Sequence, residues 1–496
     1  MEMLPLYAVF TGLMAVPFIV LSARHRNLRE FWTILAGVIK FGLVLWILQE
    51  VLQGHVLQIA LFEILPGIPI LFRADPFGTY FAVVAAGLWI FTSFYSIGYM
   101  RGAGEKHQTR YFASFAVCLT ATLGIAFSGN LVTFLVFYEL LTLATYPLVV
   151  HKESKKAIDA GRKYLAYTLT AGLLLLTAVA LTYIYTGSVD FKPGGIFANA
   201  AVSSVVVVSI FLLYLAAVGV KAGIMPFHSW LPSAMAAPTP VSSLLHAVAV
   251  VKSGVFGVIR VVGFVFGPEV MAELGLNDIL MLFAGTTILL ASLLAFQQDN
   301  LKRRLAYSTV GHLSYIVLGA AMLSPLGMKG AILHIAAHAT MKITLFFSAG
   351  AIYVNLHREN ISELNGIAKV MPWTMAAFTV GSMGLAGMPP INGFVSKWYL
   401  ALGSLEAHRL APLIILVLSG LLNLGYFFPI VRRAYFGKPE GLEGKKEASP
   451  WMVAPLVLTA TLSIAFGIYP NLFFHFFDLA GTVAHSLFPA APVGVR

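Results

Sequence analysis

The chain is 496 residues long, 59% hydrophobic and only 11% charged, against the roughly 25% charged residues of soluble globular proteins. That balance excludes a soluble domain and describes a polytopic membrane protein, so the net charge of +11 reflects loop sidedness rather than nucleic-acid binding. The lone cysteine, Cys118, lies in an apolar segment; disulfides, thiolate clusters and iron-sulfur ligation within the chain are thereby excluded, and no cofactor or metal is expected on it.

Apolar runs of about 20 residues are long enough to cross the hydrocarbon core. Fourteen are expected, centred near residues 12, 42, 87, 120, 140, 175, 213, 256, 287, 314, 341, 380, 420 and 460. The fold class is therefore all-α and membrane-spanning. The first run, Leu4 to Leu21, has no basic residue before it and no small-residue cleavage site, so it is expected to stay as a membrane anchor. Between the second and third runs, Gly54 to Gly78 is irregular, and alternating Ile68, Ile70 and Phe72 predict a short external hairpin.

Basic residues test the number of crossings, because cytoplasmic loops carry the excess. With the N-terminus outside, the inward loops hold 21 lysines and arginines, among them Arg24, Arg110, Lys155, Lys163, Arg303 and Arg433. The outward loops hold five, Arg73, Lys192, Lys329, Arg409 and Arg496. A multi-pass protein of the cell membrane with both termini outside is the expectation.

Six basic residues fall inside apolar runs: Lys40, Lys221, Lys252, Arg260, Lys342 and Lys397. Each costs about 2.5 to 3.5 kcal/mol at a helix centre. Lys40 and Arg260 are expected to snorkel to an interface. The other four, with the mid-segment acid Glu139, sit among polar neighbours or helix breaks and are expected to serve function.

The segment Lys221 to Lys252, KAGIMPFHSWLPSAMAAPTPVSSLLHAVAVVK, carries Pro226, Pro232, Pro238 and Pro240. Proline removes a backbone donor and clashes one turn back, so the seventh crossing must be broken here. Broken backbone at membrane depth is tolerated where it is buried in protein or lines a wet cavity, and this stretch is expected to be the middle of an ion path. A second break, GLAGMPPINGFVSKW, falls in the twelfth crossing and ends on Lys397. Crossings four to eight and nine to thirteen thus form two five-helix units. An odd number of crossings makes successive units enter from opposite faces, as in inverted-repeat transporters. The expected divisions are residues 1–110, three N-terminal helices with the hairpin; 111–265, the first unit; 266–436, the second; and 437–496, the last helix and tail.

Glu139 lies in NLVTFLVFYELLTLATYPLVV. A lone ionised carboxylate there is costly unless paired, and Lys221 is its natural partner. A static ion pair is the structural alternative. His246 and Lys252 follow the break and are expected to relay between the first half-path and the protein centre; for His246 a hydrogen-bonded core histidine is the alternative. The eleventh segment, AILHIAAHATMKITLFFSAG, places His334, His338 and Lys342 at i, i+4 and i+8 on one helix face. Two histidines on one face cannot sandwich a haem, and no cysteine or paired carboxylate completes a zinc site. A stripe of proton-exchanging groups fits better, which His312 widens. Lys397 is expected at the outlet. The chain has no phosphate loop, dinucleotide glycine fingerprint, HExxH or nucleophile elbow.

These motifs, YELLTL at Glu139, KAGIMPFHSWLPSAMAAPTPVSSLLHA from Lys221, HxxxHxxxK at His334 and MPPINGFVSKW through Lys397, resemble those of the proton-antiporter-like subunits. That family is shared by Mrp-type sodium/proton antiporters, respiratory complex I and energy-converting membrane-bound hydrogenases. The resemblance runs from DPFG at Asp75 to about Phe436. It implies fourteen helices in two inverted five-helix repeats with discontinuous seventh and twelfth helices, and a charged axis along the membrane midplane. Carried over by motif, Glu139 and Lys221 resemble the switching pair and His246 with Lys252 the relay. His334, His338 and Lys342 match the central connection, and Lys397 the outlet residue. The largest complex I member bears a lateral helix after the last crossing, which is expected to be missing here.

The implied function is an antiporter-like, H+ or Na+ translocating subunit of a multisubunit membrane complex. Chain length and a lysine at position 397 resemble most closely the D-type Mrp subunit and its hydrogenase counterparts; a proton-pumping subunit of complex I is the alternative. The implied partners are other membrane subunits, lipid and a peripheral redox arm with iron-sulfur clusters, with no nucleic acid. A stand-alone solute carrier would need substrate-sized polar groups around a cavity, and a haem or quinone carrier would need ligands on facing helices; the buried polar groups here are overwhelmingly protonatable.

Overall fold

The computed structural model describes residues 1–439 and 441–488, so the outward Arg496 lies outside the described residues. The helices are α1 Leu4–Leu21, α2 Arg26–Leu52, α3 Pro76–Gly102, α4 Gln108–Ala126, α5 Leu131–Val149, α6 Lys155–Thr186 and α7 Ser204–Ala222. After the first break come α8 Thr239–Phe266, α9 Leu276–Phe296, α10 Leu301–Ala321 and α11 Pro325–Leu356. The chain continues with α12 Pro372–Ala386, α13 Asn392–Glu406, α14 Leu410–Phe436, α15 Pro450–Ile468 and the short α16 Phe476–Leu487.

Twelve helices among the described residues are long and apolar enough to cross a membrane. The two other expected crossings fall on α10, whose polar residues dilute its hydropathy, and on α12 with α13, each 15 residues long and too short to span alone. The hairpin expected from Gly54 to Gly78 is present as β1 Leu57–Leu65 antiparallel to β2 Ile68–Ala74, with Ile59 opposite Phe72.

The bundle is organised around α8 and α11, whose apolar stretches are buried completely. Helices α1, α2, α6, α14 and α15 bury only 39% of theirs and present the remainder outward, as helices facing hydrocarbon do. Lys221 is on the last turn of α7; His246 and Lys252 are on α8; His334, His338 and Lys342 are on α11.

Both breaks have the same local build. Helix α7 ends at Gly223 (φ +70°), followed by a cis bond before Pro226; α12 ends at Gly387 (φ +97°), followed by a cis bond before Pro390. Each glycine adopts a left-handed conformation that other residues resist, closing its helix. At the end of α7 the Val220 carbonyl accepts from Trp230 Nε1 at 2.8 Å besides Gly223 N at 3.2 Å. At the end of α12 the ammonium of Lys397 takes the carbonyls of Leu385 and Ala386, at 2.6 and 3.1 Å.

A second local structure also occurs twice. Asn130 caps α5, its side chain accepting from Thr133 N at 2.8 Å, while Leu131 N donates to Val189 O at 2.8 Å. Asn300 caps α10 through Arg303 N at 3.1 Å, while Leu301 N donates to Glu359 O at 2.9 Å.

Lys40 and Arg260 do not snorkel. Lys40 is fully buried, its ammonium 3.5 Å from Val9 O and over the Trp89 ring at 4.8 Å. Arg260 is 1% exposed and forms a two-pronged ion pair with Asp75, at 2.6 and 2.9 Å. Four phenyl rings, of Phe77, Phe191, Phe256 and Phe264, surround its guanidinium within 5.3 Å. A paired guanidinium in an aromatic box need not reach water.

Candidate functional site

Lys221 is fully buried. Its Nζ donates to the carbonyl of Tyr138 on α5 at 2.5 Å and lies 3.4 Å from the centre of the Tyr138 ring. Glu139 is the next residue, yet its carboxylate points away, toward Gly172 of α6, where a β-carbon would come within 2.5 Å of the carboxyl carbon. Among the described residues no basic group is within ion-pairing distance of Glu139. Its Oε1 is buried without a hydrogen-bond partner. Lys221 is thus held by Tyr138 and forms no ion pair with Glu139.

Helix α8 packs closely on the end of α7, Gly254 meeting the backbone of Lys221 and Ala222. Two residues earlier on α8, the Lys252 ammonium bonds His338 Nδ1 on α11 at 2.7 Å. His246, expected to relay with Lys252, is not bonded to it. His246 sits in a π-helical turn, Leu244–Val248, with its ring 4.9 Å from that of Phe346 and neither nitrogen bonded.

Beyond His338 the rings of His312 and His334 lie 5.6 and 6.0 Å away. These two bond each other, His312 Nδ1 to His334 Nε2 at 3.2 Å, and His334 Nδ1 meets Ser396 Oγ at 2.8 Å. From His312 Nε2 the line continues to Asn423 Nδ2 at 3.2 Å. Asn423 reaches the Leu385 carbonyl at 3.4 Å, the same oxygen that Lys397 holds. Lys342 stands apart from this line, donating to Leu305 O at 3.0 Å.

Several members of this line carry no charge. Besides Ser396 and Asn423, Tyr315 OH donates to Ser419 at 2.6 Å and accepts from Asn423 at 3.3 Å. Tyr426 joins Asn423 to Ser308. Their signal in the sequence is polar side chains inside apolar helices, such as Asn423 in LLNLGYF, and a search for charge passes over it. Among the described residues no group of histidines, cysteines and carboxylates is arranged to hold a metal ion. What the line can do is chemical exchange: imidazole, hydroxyl and amine each donate and accept, so protons can pass between adjacent members.

Over 377 residues the chain is 33% identical to NADH-quinone oxidoreductase subunit N of Desulforudis audaxviator, spanning 74% of this chain and 75% of that one. Over 420 residues it is 30% identical to hydrogenase-4 component B of Escherichia coli, spanning 79% of this chain and 61% of the relative. Its fold matches a chain of the Mrp complex from Dietzia sp. with a TM-score of 0.86, at 23% identity, over 98% of this chain and 97% of that one. The family described as NADH:quinone oxidoreductase/Mrp antiporter, transmembrane, matches residues 128–423, which hold the whole line from Glu139 to Asn423. The chain is a membrane protein that belongs to the NADH:quinone oxidoreductase/Mrp antiporter family.

Proposed function

We propose that this chain is an ion-translocating subunit of a multisubunit membrane complex, moving protons, sodium ions or both through the buried line. The observation that carries this reading is a line of buried polar groups inside an otherwise apolar bundle: Lys252 is bonded to His338, whose ring lies 5.6 Å from that of His312; His334 and His312 bond each other; and His312 bonds Asn423, which shares the Leu385 carbonyl with Lys397. Burying so many protonatable groups is costly, and such groups inside a membrane mark ion paths.

In this reading Glu139 and Lys221 form the switching pair. Tyr138 holds the ammonium while the carboxylate lies apart, and a change in their separation changes how firmly each holds its proton. Lys252 with His338 links that pair to the centre, His334 and Lys342 extend the central connection, His246 lines the approach, and Lys397 is the outlet. The paired glycine-proline breaks and paired asparagine caps support two inverted five-helix units. The distribution of basic residues supports both termini outside.

The assembly we favour is a membrane-bound hydrogenase or Mrp-type antiporter, with the redox chemistry, where there is any, on a peripheral iron-sulfur arm of partner subunits. The 33% identity to a quinone oxidoreductase subunit favours a complex I type assembly as the second reading. Identifying the proteins that copurify in mild detergent distinguishes them. For the mechanism, Glu139→Ala and Lys221→Ala are expected to abolish ion translocation in vesicles while the complex still assembles; full pumping by both variants defeats it.

A further inference from the structure

A cavity of about 720 Å³ beside α6 and α10 differs in chemistry from the line just described. Five basic side chains surround it, Lys155, Lys156 and Lys163 of α6 with Lys302 and Arg303 of α10. Two acids share the wall, and both are engaged: Asp159 faces Arg162 at 3.9 Å, and Glu359 accepts from Asn300 at 3.4 Å. Among the described residues Lys155, Lys156, Lys163 and Arg303 have no carboxylate within ion-pairing distance. The floor, by contrast, is apolar, made by Pro232, Met235 and Ala236.

We propose that this cavity binds the phosphodiester headgroup of an anionic phospholipid. Unpaired cations around a space of this size call for an anion that spreads its charge over more than one oxygen, as a phosphodiester does, and a basic pocket between membrane helices meets such headgroups at the leaflet surface. The apolar floor selects the source. A free phosphate ion has nothing to place on Pro232 and Met235, whereas a glycerol backbone with the first methylenes of its acyl chains covers them. The floor also gives the site its consequence. It is built from the segment that follows the break in the seventh crossing, and Lys302 Nζ holds the Ala237 carbonyl of that segment at 2.7 Å. A headgroup bound here braces the broken backbone between Lys221 and His246.

The probe is fluorescent diphosphatidylglycerol titrated into the purified full chain in a zwitterionic detergent. The triple variant Lys156→Gln, Lys163→Gln, Arg303→Gln is expected to bind on the order of a hundredfold more weakly, at about one charge contact per residue removed. Lys369→Gln, a basic residue outside the cavity, is expected to bind as the unaltered chain does. Unlabelled diphosphatidylglycerol is expected to displace the probe and phosphatidylcholine is not. Equal binding by the triple variant overturns the site, and displacement by inorganic phosphate as readily as by lipid overturns the lipid assignment. Should the triple variant fail to fold, the unaltered chain is labelled with a photoreactive phospholipid and mapped by proteolysis. Label at residues 155–163 and 300–303 supports the site, and label elsewhere alone overturns it.

Discussion

Lys252 Nζ and His338 Nδ1 lie 2.7 Å apart, and this bond joins the two helices whose apolar stretches are completely buried. A bond this short between an amine and an imidazole pairs one N–H with one lone pair, so the protonation of either group bears on the other. Groups that act as one unit show strongly non-additive substitutions. Lys252→Ala and His338→Ala are each expected to cut proton uptake into proteoliposomes holding the intact complex by roughly a hundredfold. The double variant is expected to be no worse than the worse single one. Wild-type uptake by His338→Ala would remove this bond from the path.

Gly172 supplies a second test, because the place of its missing side chain is taken by the Glu139 carboxylate. The crowded atoms are the end of a flexible side chain, so Gly172→Ala leaves helix packing intact and moves the carboxylate. Complex assembly and unfolding temperature are expected to stay near wild type while translocation falls about tenfold or more. Glu139→Asp in the same chain withdraws the carboxylate by one methylene and is expected to recover part of the loss. Ion uptake unchanged in Gly172→Ala would show that the position of this carboxylate is not critical.

How much of this was legible in the sequence depends on which physical constraint is at work. Lipid demands long apolar helices, so the runs reveal themselves; the prolines at 226 and 389–390 reveal the breaks, and the alternation at Ile68, Ile70 and Phe72 reveals the hairpin. Pairing is different, because it depends on which faces meet. Nothing near Arg260 in the chain announces Asp75, 185 residues away, and so an exposed end was expected for a side chain that is sealed. Lys252 reads in the sequence as a relay with His246, and nothing near Lys252 in the chain announces His338, 86 residues away, as the group it bonds. Asn423, Ser396 and Tyr315 complete the line without charge, so the cost that marks a buried lysine does not mark them.

The Arg260 and Asp75 pair makes a stability prediction with an ordering. Arg260 is the sealed partner, at 1% side-chain exposure, and Asp75 retains 20% and also caps α3 through Gly78 N at 2.7 Å. Removing one member of a buried pair costs about 3 to 5 kcal/mol, because the other is left charged and unpaired. Asp75→Ala, which strands the sealed guanidinium and uncaps α3, is expected to lower the unfolding temperature in detergent more than Arg260→Leu. Asp75→Asn with Arg260→Met, which removes both charges and keeps a cap, is expected to regain most of the loss. The reverse order of the two single variants would contradict the account of Arg260 as the costlier charge to strand.

His151 gives a prediction in pH, at the turn after α5 and outside the membrane-spanning helices. Burial first, and the guanidinium of Arg110 second, push its imidazole down to about 4 from the ordinary 6.5. Between those values the unfolded chain takes up a proton that the folded chain refuses, so stability rises with pH across this window and falls as the solution is acidified from 6.5 toward 4. The slope from one such group is at most about 1.4 kcal/mol per pH unit. Unfolding in detergent at pH 7 and pH 5 is expected to show a loss on acidification that is smaller in His151→Gln, which keeps the polar side chain but cannot take the proton. An identical loss in both chains would mean that His151 is already protonated in the folded protein or titrates alike in both states.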